Sequence, residues 1–236
     1  MEKRVIILAG GRGTRLRPYT ITLPKPLVPI GETPILEIVL KQLVSHGFHR
    51  MTLAVNHQAA LIRTFFGDGS SWGATIDYSF EPEPLGTMGP LRLIEDFPEN
   101  VLVMNGDILT DLDYADFFDW HCRQGATLSI CATEREQPVD FGVLTANSEG
   151  GLVAFQEKPT LRYLVSMGVY GVNRRVLDWL PKDQAFGFDQ LVLGLLEARQ
   201  PIAVRRHTGY WLDIGRPEDF ERAMQDFVEQ ESRFLR

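Results

Sequence analysis

A chain of 236 residues with 44% apolar and 23% charged side chains is long enough to bury a full core and has the composition of an ordinary globular protein. The formal net charge of −7 excludes the broad basic face that binding a nucleic acid or an anionic membrane would need. Cys122 and Cys131 lack metal-site spacing, no apolar run approaches the roughly 18 residues of a membrane span, and Met1-Glu2-Lys3-Arg4 runs into a strand without a leader's apolar segment, so a reduced cytoplasmic protein is expected.

Strand and helix patterns alternate from the start. Arg4–Ala9 reads as a buried strand, and the proline-rich stretch to Pro29 as a long loop. Thr33 is the expected N-cap of a helix that starts at Pro34 and runs to His46, with Gly47 just beyond it. Then come a strand at Arg50–Val55, a helix at Gln58–Phe66 and a strand at Thr75–Phe80. A helix at Met88–Asp96, a strand at Val101–Asn105, a helix at Tyr114–Gln124 capped by Asp113, and a strand at Thr127–Thr133 continue the rhythm.

The second half changes character. Phe141–Thr145, Gly151–Gln156 and Val165–Val172 are short strands with little helix between them. Helices return at Arg174–Leu180, near Asp189–Arg199, and at Pro217–Glu231. The expected fold class is α/β: a Rossmann-like, mostly parallel mixed central sheet flanked by helices, with a small antiparallel excursion in the C-terminal half. No linker composition divides the chain, so 1–236 reads as one domain of two parts, about 1–125 and about 126–236.

The loop after the first strand, LAGGRGTRLRPYTITLPKPLVP, carries the sharpest chemistry. It lacks the lysine placement of a Walker loop and the third glycine of a dinucleotide fingerprint. Gly10, Gly11 and Gly13 still let successive backbone N–H groups converge on an anion. Arg15 supplies a planar fork for phosphate oxygens, and Lys25 stands between two prolines that restrict its backbone. A polyphosphate is the natural guest.

This loop, followed by PKPL, resembles the signature of sugar-1-phosphate nucleotidyltransferases, the NDP-sugar pyrophosphorylases. EPLGTMGPL (83–91), MNGDIL (104–109), FGVL (141–144), FQEKP (155–159), MGVYGVN (167–173) and WLDIGRPEDF (211–220) are similar to further family motifs and come in the same order. The resemblance implies joining of a nucleoside triphosphate to a sugar 1-phosphate, with Mg²⁺ as cofactor and pyrophosphate as second product. It is greatest to guanylyltransferases acting on mannose 1-phosphate or a manno-configured heptose; UTP, dTTP and CTP remain alternatives, as does a silent NDP-sugar sensor. A homo-oligomer is compatible with the family.

Phosphoryl chemistry of this kind calls for cations, metal carboxylates and positioning groups, not for a base, because a sugar phosphate is already deprotonated near neutral pH. His46, His49, His57, His121 and His207 accordingly show no triad or ligand spacing. The resemblance implies that Leu8, Ala9, Gly10, Gly11, Gly13, Thr14, Arg15 and Lys25 hold the nucleotide, with Glu83, Gly86 and Thr87 near the nucleoside. Arg15, Lys25 and Asp107 are the expected catalytic residues, and Asp107 and Asp213 the expected Mg²⁺ ligands. Gly142, Glu157, Lys158, Ser166 and Gly168 are expected at the sugar phosphate; Ser166 stands where many relatives carry asparagine. NGDILTDLD is also similar to the metal-binding acidic clusters of glycosyltransferases, although Asp113 reads as a helix cap and Asp111 as a turn residue.

Overall fold

Val5-Ile6-Ile7 is buried on both sides: Val5 and Ile7 enter one core, Ile6 another. A strand apolar on both faces belongs in the middle of a covered sheet. In the computed structural model, which describes residues 2–56, 58–182 and 184–235, it lies there. His57 is outside the described residues. The strands are β1 (Arg4–Leu8), β2 (Pro29–Ile30), β3 (Thr33–Pro34), β4 (Arg50–Val55), β5 (Thr75–Phe80), β6 (Asn100–Asn105), β7 (Ile108–Thr110), β8 (Leu128–Pro138), β9 (Val143–Ala146), β10 (Leu152–Gln156), β11 (Thr160–Asn173), β12 (Ile202–His207) and β13 (Trp211–Asp213). The α-helices are α1 (Ile35–Ser45), α2 (Ala59–Phe66), α3 (Tyr114–Gln124), α4 (Phe188–Glu197), α5 (Pro217–Glu229) and α6 (Glu231–Phe234).

Seven strands form the main sheet in the order β12-β8-β11-β6-β1-β4-β5. The β6-β1-β4-β5 half is parallel, and β11 runs antiparallel to both β6 and β8. β9 and β10 form a separate hairpin, the expected antiparallel excursion. One face of the sheet packs on α1, α2 and α3, and the other on α4 and two 3₁₀ segments. A third core, with Leu16, Ile30, Leu109, Leu212, Ile214 and Phe227, joins the opening loop to the C-terminal helices.

Several expectations need correction. Thr33 is not the N-cap of α1: it pairs with Ile30 in a two-residue ribbon, and Pro34 occupies the cap position. Met88–Asp96 and Arg174–Leu180 are not α-helices. They hold 3₁₀ segments at Gly89–Leu93 and Arg174–Trp179; in the first, Leu91 N donates to Met88 O at 3.2 Å and Ile94 N to Leu91 O at 3.4 Å, the three-residue spacing of the tighter turn. The last helix breaks at Gln230 into α5 and α6. Asp113 does cap α3, its Oδ1 accepting from Asp116 N at 2.8 Å, and Gly125 closes that helix in the left-handed region.

Candidate active site

Four parallel strands deliver their carboxyl ends to one edge of the sheet, where open α/β sheets take ligands. After β1 comes the glycine loop, after β4 Asn56, after β5 Glu81, and at the end of β6 Asn105-Gly106-Asp107. These segments are stitched together: Ala9 N donates to Ala54 O at 2.8 Å, Gly106 N to Leu8 O at 3.1 Å, Glu81 N to Val55 O at 2.9 Å, and Asn56 Nδ2 to Glu81 O at 2.8 Å. The result is a cleft of about 340 Å³ lined by Leu8, Ala9, Gly10, Gly11, Lys25, Gly86, Thr87 and Asp107, all expected from the sequence, together with Asn56, Glu81 and Asn105 among others.

The loop from 8 to 29 folds on itself. Gly13 is in the left-handed region at φ 59°, and a Cβ there would stand 2.9 Å from Thr20 Cγ2 and 3.1 Å from Lys25 Cβ. Thr20 Oγ1 donates to Gly13 O at 2.7 Å and closes the turn. Leu16 anchors it in the third core. Lys25 starts a 3₁₀ turn after Pro24, is 9% exposed, and forms an ion pair with Asp107 Oδ2. At Gly11, by contrast, a Cβ would meet nothing within 4 Å, so its backbone faces open space on the cleft.

Asp213 approaches Asp107 from another direction. β13 pairs with β7, placing Asp213 opposite Ile108, and Ile214 N donates to Asp107 O at 3.0 Å. Burial pushes the Asp213 carboxyl above its usual range, and the charge of Asp107 pushes the same way; Lys25 and Arg15 act against both. Arg15 closes the group. A Cβ on Gly215 would lie 3.0 Å from Asp213 Oδ2 and 3.3 Å from Arg15 Nη2, so the missing side chain leaves room for both. Arg15 and Asp213 also line an adjoining, more polar cleft of about 960 Å³ between Thr133–Gln137 and Thr208–Asp213.

Two carboxylates pressed together, with Asp107 Oδ1 buried and unpartnered among the described residues, fit a hard divalent cation that completes its shell from phosphate and water. No group of three or more His, Cys, Asp or Glu side chains gathers at a metal-binding distance among the described residues, so the protein offers a two-carboxylate site and no closed cage.

The other expected residues are distributed differently. Gly13 and Thr14 shape the loop without lining the cleft. Gly142 and Glu157 meet at the base of the β9–β10 hairpin, where a Cβ on Gly142 would stand 3.3 Å from Glu157 Oε2. Lys158 follows with a left-handed φ of 43°. Gly168, at φ 73°, sits in the bulge of β11 under the Asn105 amide, and its N–H donates to Ser166 Oγ at 3.2 Å. The linings of the two clefts include none of these five.

Glu83 is exposed and lines neither cleft. The carboxylate that enters is Glu81, 6% exposed, with Oε2 accepting from Leu85 N at 3.2 Å and Oε1 lying where a Cβ on Gly10 would come within 2.9 Å. Burial raises its pKa. The sequence did carry a signal for Glu81, because it directly follows the strand Thr75–Phe80, as Asp107 follows β6.

Comparison with known proteins gives the family. The family model described as nucleotidyl transferase matches residues 4–230. The chain is 33% identical to the mannose-1-phosphate guanylyltransferase of Mycobacterium tuberculosis, over 94% of this chain and 64% of that protein. It is 32% identical to the UTP–glucose-1-phosphate uridylyltransferase of Synechocystis, over 97% of this chain and 64% of that protein. The chain thus spans somewhat less than two thirds of the length of these curated relatives. The crystal structure of HddC from Yersinia pseudotuberculosis complexed with GMP-PN superposes with a TM-score of 0.74 at 27% identity, covering 95% of this chain and 99% of that one. With its match running almost end to end and a glycine loop, a lysine and two carboxylates at the carboxyl edge of a mixed α/β sheet, the chain belongs to the nucleotidyl transferase family.

Proposed function

We propose that the protein is a sugar-1-phosphate nucleotidyltransferase that joins GTP to mannose 1-phosphate or a manno-configured heptose 1-phosphate, releasing pyrophosphate. The observation that carries this is the gathering of Lys25, Asp107, Asp213 and Arg15 beside the glycine loop.

The reaction brings one phosphate onto another, so charge repulsion and alignment are the obstacles. An oxygen of the sugar phosphate forms a bond to the α-phosphorus as the bond to the β-phosphate oxygen breaks. The electron pair leaves with pyrophosphate, and no proton has to move. Gly10 and Gly11 present backbone N–H groups to the triphosphate, in a loop whose shape Gly13 and Thr14 set. Lys25, held by Pro24 and Pro26, supplies fixed positive charge at the α-phosphate, and Arg15 steadies the departing pyrophosphate. Asp107 and Asp213 would hold Mg²⁺, which when bound neutralises phosphate charge and orients the reacting oxygens. Gly142, Glu157, Lys158, Ser166 and Gly168 form the sugar-phosphate side, where Lys158 offers the cation and Glu157 accepts from sugar hydroxyls.

Glu81 supports the choice of GTP. A guanine Watson–Crick edge presents two adjacent donors, N1–H and N2–H₂, and a carboxylate only accepts. Gly86, beyond which a Cβ would strike Phe186 O at 2.8 Å, keeps the neighbouring loop close-packed at φ 75°. The similarity to a uridylyltransferase makes UTP the second candidate. A panel of GTP, UTP, dTTP and CTP against mannose, glucose and manno-heptose 1-phosphates, read by pyrophosphate release, tests the whole reading. Turnover with GTP and a manno-configured phosphate is expected. Binding without pyrophosphate release from any pair would indicate a sensor, and consumption of NDP-sugar without a triphosphate would indicate a glycosyltransferase; either would overturn the proposal.

A further inference from the structure

Asp213 rides on a strand that has no place in the seven-stranded sheet. Among the described residues the sole strand partner of β13 is β7, across three residue pairs, Trp211–Thr110, Leu212–Leu109 and Asp213–Ile108. One end of this ribbon carries Asp107 and Asp213. The other end, about 10 Å away at a strand's rise per residue, carries Asp111, which organises a dense polar cluster. Its Oδ1 accepts from Tyr210 N at 2.8 Å and from His207 Nε2 at 2.9 Å. Its Oδ2 accepts from Arg233 Nε and Nη2, each at 2.8 Å. Thr110 Oγ1 donates to Tyr210 O at 2.7 Å, and Tyr210 OH to Asp226 Oδ2 at 2.6 Å. Gly209 must lack a side chain, because a Cβ there would overlap Asp111 Oδ1 and the His207 ring.

These bonds do more than fill a turn. β12 lies at the far edge of the main sheet from β1, and after only Thr208, Gly209 and Tyr210 the chain must enter the ribbon at the right register to present Asp213. Asp111 fixes that entry from three sides: the incoming strand through His207, the ribbon through Tyr210, and the C-terminal helix α6 through Arg233. A one-residue slip in a strand turns every side chain to the opposite face, and here it would take Asp213 away from Asp107.

We infer that Asp111 is a positioning residue for the metal site, acting through the β7–β13 ribbon with His207 and Arg233. This rests on the reading of Asp107 and Asp213 as metal ligands. Mn²⁺ alone, added to the full-length protein without nucleotide and followed by its electron paramagnetic resonance signal, separates the two claims. Asp213→Asn should abolish binding; unchanged binding in that variant would overturn the metal site and the inference with it. Asp111→Ala should weaken Mn²⁺ binding about tenfold, no more than the low end of what removing a group bonded directly to a metal ligand costs. It should also raise the metal concentration needed for half-maximal turnover while leaving the turnover at saturating metal much less affected. Arg233→Gln, which removes one side of the cluster, should move Mn²⁺ affinity in the same direction by a smaller factor. Leu195→Ala, in the core on the opposite face of the sheet, controls for lost stability. Mn²⁺ affinity within twofold of the native protein in both the Asp111 and Arg233 variants, with Asp213→Asn still defective, would overturn the inference and leave the metal site standing.

Discussion

Lys25 and Asp107 form an ion pair across the cleft although 82 residues separate them in sequence. Both side chains are mostly buried, and Asp107 keeps a second oxygen without a partner among the described residues. A lysine so held is pre-aimed, with little conformational entropy left to lose when a triphosphate arrives. Lys25→Ala and Arg15→Ala should each lower kcat by roughly 10²–10³, the usual effect of removing a preorganised charge stabiliser. Asp107→Asn should lower it further, because it removes a metal ligand and the partner of Lys25 together. Single-turnover pyrophosphate release checks this, and unchanged rates in all three would defeat the mechanism.

Glu81 and the base give a second prediction. Replacing its carboxylate by an amide keeps the shape but exchanges one acceptor for a donor. A guanine edge then faces a donor with a donor, whereas a uracil edge, with one N–H beside a carbonyl, finds a match. Glu81→Gln should lower kcat/KM for GTP by roughly 10–100-fold, as expected for a mismatched buried polar group, and shift the GTP-to-UTP preference toward UTP. Competition between the two nucleotides in one reaction measures the ratio directly. A parallel loss for both would mean that Glu81 supports the loop and does not read the base.

The pH dependence of stability should carry the mark of His121. Its ring is buried, its Nδ1 shares a 2.7 Å hydrogen bond with Ser129 Oγ, and its Nε2 has no partner among the described residues. Burial, assisted by Arg175, depresses its pKa from 6.5 to about 4. Between those values the unfolded chain binds the proton and the folded chain does not, so stability is fully present above pH 6.5 and declines as pH falls toward 4. At pH 5 the loss from this group amounts to about 2 kcal/mol. Urea titrations of the native protein and of His121→Leu at pH 7 and pH 5 should show a lower starting stability in the variant and a shallower decline.

The parts of this molecule written in local spacing were legible in the sequence. β4, β5 and α3 fall at their expected residues because their apolar periods and end signals lie within a few positions. The glycine loop, Lys25 and Asp107 were legible for the same reason. β12 and β13 were not expected: Arg205 and Arg206 break the apolar look of the first, and the second has only three residues. Asp111 read as a turn residue because its partners His207 and Arg233 lie 96 and 122 positions away, beyond any window of pattern. Thr33 has an N-cap's chemistry, yet pairing with Ile30 takes its backbone into a ribbon, a tertiary choice that overrides a local preference. Glu83 and Glu81 differ by two positions: Glu81, directly after the strand, turns inward at the carboxyl edge, and Glu83, beyond Pro82, stays exposed.

Gly13 tests whether the loop's shape, and not merely its charge, matters. Its φ of 59° is costly for any residue with a Cβ, and the added carbon would press on Thr20 Cγ2 at 2.9 Å and on Lys25 Cβ at 3.1 Å. Both neighbours are buried, so neither can move freely. Gly13→Ala should therefore lower thermal stability and, by pushing Lys25 off its line, reduce kcat more than it raises KM for the nucleotide. Thr20→Ser removes the methyl group in the way while keeping the hydroxyl that donates to Gly13 O. Added to Gly13→Ala, it should recover part of the lost kcat, with the left-handed strain and the Lys25 contact accounting for the remainder. If the double variant shows no recovery relative to the single one, the contact with Thr20 is not what displaces Lys25, and the loss belongs to backbone strain alone.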